Sequence, residues 1–196
     1  MPRFRLLAAL PVMICAGLAN TGPTLAQDDA RPIIRPAEME RSEAHDRLDF
    51  FMGDWAGTYV ADVTGLRYEE PILFDVSVTF EWMEPGRVWL REATVLDLPW
   101  GSSFGQGMWA FDEANNQYVR RWIDNQIPSV FFHEGYWVDD HTIVFDGHVA
   151  YAGGTIVMRD VFRITGENSY IWEHFTDKGR GGEVELSSTT NYRRLR

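Results

Sequence analysis

Three charged residues, Arg91, Asp160 and Glu173, interrupt stretches in which every second residue is apolar. A charge on the dry face of a strand is costly unless it is paired or hydrated. Two carboxylates in one enclosure split their proton affinities and can work as acid and base. An arginine beside them would hold an anionic intermediate. The same three charges would also grip the polar head of a bound molecule with no reaction at all. Two structural alternatives stand beside these: mutual neutralisation as a buried cluster, or a β-bulge that turns one of the three outward.

The inward placement follows from hairpin registers, because a slip of one residue moves every side chain to the other face. Around Gly153-Gly154, setting Ala150 opposite Thr155 brings Val149 to Ile156, Phe145 to Asp160 and Ile143 to Phe162. The opposite face then pairs Asp146 with Arg159, as an exposed ion pair should be. Across Gly166 to Ser169, setting Thr165 opposite Tyr170 brings Ile164 to Ile171, Phe162 to Glu173 and Asp160 to Phe175. Around Glu84-Pro85-Gly86, setting Glu84 opposite Arg87 brings Trp82 to Trp89 and Phe80 to Arg91, with Thr79 and Glu92 outside. These registers make Arg91, Asp160, Glu173, Trp82, Trp89 and Phe145 the expected cavity wall. Trp122 and Arg120 share a face with Trp109, either lining the cavity or stacked on the outer wall; that choice stays open, as does the face of His133.

The elements that must carry these residues are strands. Leu73 to Met83 alternates Phe74, Val76, Val78, Phe80 and Trp82 with polar residues, the pattern of a strand with one dry and one wet face. About ten such strands follow one another with short turns between them. The expected fold is all-β, an up-and-down antiparallel barrel of about ten strands, lipocalin or fatty-acid-binding-like, whose closure removes sheet edges and encloses a lumen. A two-sheet sandwich is the alternative. Before the first strand, Glu38 to Met52 reads as a short helix with His45, Leu48 and Met52 on one face and Gly53 as its stop.

Other chemistry is sparse. The sequence carries no Gly-rich phosphate loop, G-x-S-x-G elbow or H-E-x-x-H helix. Of the five histidines, His133 and His174 each adjoin a glutamate, so each His–Glu pair points to opposite faces of its strand. Asp146 and His148 share an outer face on which Asp146 already has Arg159, so no metal site is expected. No cofactor is expected either; haem would need one inward histidine, and His133 is the first candidate.

The amino terminus reads as a targeting segment. Arg3 and Arg5 precede the apolar run Leu6 to Leu18, and small residues lead to Ala26. The expected division is a signal peptide over 1–26 cleaved after Ala26, a flexible leader over 27–42 and a barrel over 43–196. A run of about 13 apolar residues is too short to span a bilayer. The only cysteine, Cys15, lies in that run, so the mature chain would hold its fold without disulfides. The net charge of −11 disfavours nucleic acid and anionic membrane as partners.

The segment His45-Asp46-Arg47-Leu48-Asp49-Phe50-Phe51-Met52-Gly53-Asp54-Trp55 resembles the start of a lipocalin-type barrel, a short helix leading into Gly-x-Trp on the first strand. With Tyr118, Trp122, Asp124, Gly135 and the closing Tyr192-Arg193-Arg194, residues 43 to 196 are similar to a bacterial lipocalin-like family known as domain of unknown function 1579. The resemblance implies the calycin-type fold and no particular reaction. It also implies that Trp55 plugs the closed end under Arg194, a structural role consistent with guanidinium–indole stacking.

The function expected from these features is binding of a small hydrophobic or amphipathic molecule in the lumen of a periplasmic or secreted barrel, of unspecified oligomeric state. The alternatives are a cofactor-free isomerase, lyase or hydrolase using Asp160 and Glu173, or an interaction module with a filled barrel and an outer aromatic face. An open lumen keeps the first two; a filled one favours the third.

Overall fold

A computed structural model describes residues 41–61, 71–98 and 101–196. The expected signal segment with Cys15, most of the leader and Trp100 lie outside the described residues. A single α-helical turn, Glu43–Asp46, runs into a 3₁₀ turn, Arg47–Phe51. Ten strands follow: β1 (Gly53–Ala61), β2 (Ile72–Trp82), β3 (Leu90–Leu98), β4 (Gly101–Asp112), β5 (Gln117–Asp124), β6 (Phe131–Trp137), β7 (Thr142–Tyr151), β8 (Gly154–Gly166), β9 (Ser169–Thr176) and β10 (Glu185–Arg194). Each pairs antiparallel with its sequence neighbour, and β1 pairs with β10 to close the barrel. The up-and-down barrel expected from the alternation is therefore the fold, and the sandwich is excluded.

The two helical turns cap one end. Phe51 is driven into that end by the tight turn and meets Phe80, Trp109, Phe162 and Tyr170 at ring-centroid distances of 5.3–5.9 Å. Trp55 is fully buried beneath the cap and donates from Nε1 to the Phe51 carbonyl at 2.7 Å. The Arg194 guanidinium lies 4.0 Å from the Trp55 ring centroid and donates to the carbonyls of Met52 and, at 2.6 Å, of Phe50. Arginine thus satisfies helix-end carbonyls that would otherwise be orphaned, while its flat face covers the plug.

Of the three registers, one stands and two shift. β7 and β8 pair as expected, with Phe145 opposite Asp160 and the exposed Asp146–Arg159 ion pair at 2.6 Å. Their turn has Ala152 and Gly153 both at positive φ, the two-residue hairpin geometry whose twist matches the strands. Between β8 and β9 a bulge falls between Ile164 and Gly166, so Asp160 faces His174 and Phe162 faces Trp172. Glu173 is turned outward, where it accepts from Arg163 at 3.2 Å. Between β2 and β3 the loop 83–89 places Arg87 at φ 53, and Glu81, not Phe80, pairs with Arg91. Arg91 therefore lies outside in an ion pair with Glu81, Trp89 is a partly exposed loop residue, and Glu92 enters the barrel.

Candidate functional site

Strands β3, β5, β6, β8 and β9 each send one polar side chain to the same level of the barrel: Glu92, Arg120, His133, Asp160 and His174. Arg120 is the hub. Its Nε donates to Glu92 Oε2 at 3.0 Å and its Nη1 to Asp160 Oδ2 at 2.9 Å, with a longer Nη2 contact of 3.4 Å to Glu92 Oε1. All three side chains are at most 7% exposed. The guanidinium carbon sits 4.7 Å from the Trp122 ring centroid and 5.6 Å from that of Trp109. A planar cation between two carboxylates and two indole faces is the arrangement in which arginine is least replaceable.

Asp160 is the second hub. Its Oδ1 accepts from Trp172 Nε1 at 3.0 Å and is bonded to His174 Nδ1 at 2.8 Å. Its Oδ2 lies 3.3 Å from His133 Nε2. Glu92 is likewise fixed, accepting from Trp109 Nε1 at 2.8 Å. Burial alone would raise the Asp160 pKa, but His174 with its hydrogen bond, the nearby His133 ring and Arg120 outweigh it and hold the carboxyl well below the usual range. Burial is also the largest influence on Arg120 and would weaken its hold on the proton, yet Glu92 and Asp160 more than offset it. His133 goes the other way: burial lowers its pKa, with Asp160 only partly opposing, so its ring is neutral near pH 7. Tyr170 and Tyr192 are pushed upward chiefly by burial and stay as neutral phenols.

Glycines on the paired strands make room for this layer. A Cβ on Gly107 would collide with Glu92, one on Gly147 with the His133 ring, and one on Gly105 with the Trp122 indole. Register pairs Gly107 with both Glu92 and Trp122, and Gly147 with His133. Glycine inside a strand costs stability, and here it marks where large inward groups need lateral space.

Above the layer, toward the end opposite the cap, the lumen holds a cavity of about 290 Å³. Its wall includes Tyr59, Leu96, Phe131, Met158, Trp172 and Trp122, with Asp124 and Gln126 at the β5–β6 connection. The volume sits at the lower end of small-molecule pockets. Asp124 is tied down by its loop: Oδ1 accepts from the backbone N–H of Gln126 and Ile127, each at 2.8 Å, and Oδ2 from Trp122 Nε1 at 3.1 Å.

Of the six residues expected to form the wall, Asp160 lines the cavity, and the open question of Trp122, Arg120 and His133 resolves inward for all three. Trp82 and Phe145 are buried but lie below the cavity: Trp82 Nε1 donates to Asp49 under the cap, and Phe145 packs 4.9 Å from Trp109. Arg91, Glu173 and Trp89 are not part of it, so the pairing of Asp160 with Glu173 as acid and base is overturned. Sequence reasoning missed Glu92 and His174, each the neighbour of a residue it chose. The signals were present: Glu81 opposite Arg91, and Glu173 diagonal to Arg163, are complementary outer pairs in the true registers only.

The profile of a family described as "protein of unknown function (DUF1579)" matches residues 40–194. The chain belongs to that family. No curated protein matches it. Among solved structures it is similar to the S-type phycobiliprotein lyase CPES from Guillardia theta, at 13% identity over 82% of this chain and 96% of that one, TM-score 0.49. It is similar also to a redesigned β-barrel, at 11% identity over 80% and 99%, TM-score 0.43. A third is EF1p2_mFAP2b bound to DFHBI, at 11% identity over 77% and 98%, TM-score 0.37.

Proposed function

We propose that this barrel of the DUF1579 family is an exported binder of a small, partly apolar molecule, held in the lumen with a polar group against the Arg120–Asp160–His174 layer. One observation carries the reading: a cavity of about 290 Å³ with aromatic walls ends on charged side chains that are fixed by one another and not by solvent. A purely structural barrel would gain by filling that space with apolar side chains, since buried ion networks are seldom more stable than well-packed hydrophobic ones. Keeping both the space and the charges suits recognition, in which an apolar body supplies affinity and a few fixed polar groups supply orientation.

The test is chemical analysis of what the protein retains. Small molecules released on denaturing purified protein are compared with those from Thr94→Trp, a substitution that fills the cavity wall. The reading expects a compound stoichiometric with the protein and absent from the folded variant. Equal retention by both would remove the lumen as the site. Export rests on the targeting pattern before Ala26, and intact mass of the exported protein should show Gln27 as its first residue.

A second reading, a cofactor-free enzyme, has one observation in its favour. The hydrogen bond from His174 Nδ1 to buried Asp160 fixes the imidazole's orientation at the cavity wall, as a general base requires. Loss of turnover with retained binding in His174→Gln would select it over simple binding.

A further inference from the structure

We infer that the lumen selects an organic amine, bound as the ammonium ion on an aromatic or alicyclic body, over the corresponding carboxylate. The inference rests on the lumen-binding reading above and adds the charge of the ligand. An inward arginine suggests an anion receptor at first sight. Here, however, Arg120 is already engaged on both sides, by Glu92 and by Asp160. Among the described residues that line the cavity it is the only lysine or arginine, while Glu92, Asp160 and Asp124 are all carboxylates.

The charge count follows directly. With both imidazoles neutral, the layer of Glu92, Arg120 and Asp160 carries one net negative charge. A proton on His174 brings it to zero. It becomes positive only if His133 is charged too, and that ring is 1% exposed, with burial opposing its protonation. Asp124 at the cavity's outer part adds a further negative charge, and its hydrogen bonds come from neutral donors. A carboxylate ligand would enter a lumen with no uncommitted cation. An ammonium ion would cancel one of the lumen's negative charges.

The remaining contacts suit an ammonium ion as well. Glu92 Oε1 has only long partners, Arg120 Nη2 and Thr94 Oγ1, both at 3.4 Å, so it retains capacity to accept a strong hydrogen bond. With Nδ1–H directed to Asp160, a neutral His174 keeps Nε2 as an acceptor. Tyr59 and Trp172, with ring centroids 6.0 Å apart, offer π faces on the same wall. Ring faces attract cations and repel carboxylates.

The experiment is isothermal titration of the purified protein with a matched series, tryptamine, tryptophol and indolepropionate, at low ionic strength. Tryptamine should bind at least about tenfold more tightly than indolepropionate, with tryptophol between them. Glu92→Gln removes one negative charge and should bring the amine and the carboxylate to within about threefold of each other. If that variant does not fold, Asp124→Asn, farther from the Arg120 pair, should narrow the gap in the same direction. Indolepropionate or tryptophol binding as tightly as tryptamine overturns the inference but leaves lumen binding intact. Failure of all three to bind, together with no retained compound, overturns both.

Discussion

Replacing Arg120 by methionine tests whether the polar layer is held by that one side chain. The substitution keeps most of the volume and removes the charge. It leaves Glu92 and Asp160 facing one another with side chains 7% and 3% exposed. Breaking a buried ion pair by deleting one partner costs about 3–5 kcal/mol, because the partner left behind is neither hydrated nor paired. Two stranded carboxylates put this variant in the upper part of that range, softened by the indole and imidazole donors that Trp109, Trp172 and His174 still provide. A slope of about 2 kcal/mol per molar in urea turns a loss of 4 kcal/mol into a fall in midpoint of about 2 M. In a Glu92→Gln background the same substitution strands only one carboxylate, so its cost should drop by roughly 1–3 kcal/mol. Equilibrium urea unfolding of the four proteins, followed by tryptophan fluorescence, measures both quantities. A midpoint shift below about 0.5 M for Arg120→Met, or strictly additive costs, would refute the view that Arg120 organises the lumen.

Four further outcomes follow from the same contacts. Trp55→Ala should cost roughly 3–5 kcal/mol in the same assay, because it empties the centre of the capped end. Gly147→Ala should cost about 1–3 kcal/mol, since the added Cβ meets the His133 ring, and the chemical shifts of that ring should move with it. Glu173→Gln should change stability by no more than about 0.5 kcal/mol, because its partner Arg163 is half exposed and the pair lies outside the barrel. Asp160 carries a folded-state pKa below its unfolded value, so its contribution is complete above about pH 4 and is lost as pH falls further; unfolding free energies measured down to about pH 3 should therefore decline less steeply for Asp160→Asn than for the wild type.

The barrel was legible because its strands alternate cleanly and its turns are short. The inward set was legible only where the turn type could be read. Gly153 in a two-residue hairpin admits one register, and every pair across β7 and β8 follows from it. Residues 83–89 and the bulge after Ile164 are not two-residue turns, and each moves its partner strand by one position. One position is enough to exchange Arg91 for Glu92 and Glu173 for His174. The outer faces held the correction: only the true registers give Arg91 and Glu173 partners of opposite charge. The glycines at 105, 107 and 147 could not be interpreted from sequence, because their purpose is visible only once Trp122, Glu92 and His133 are set beside them.

The central claim is that a ligand occupies the lumen at the level of the polar layer, and the tryptophan indole N–H groups report it residue by residue. Trp122 and Trp172 donate to Asp124 and Asp160 beside the cavity, whereas Trp55 and Trp82 donate to Phe51 and Asp49 beneath the cap. In NMR spectra of isotope-labelled protein stripped of its retained compound, adding that compound back should shift the Trp122 and Trp172 indole resonances and leave those of Trp55 and Trp82 in place. Shifts confined to Trp55 and Trp82, or to the partly exposed Trp89, would place the ligand elsewhere and contradict the account.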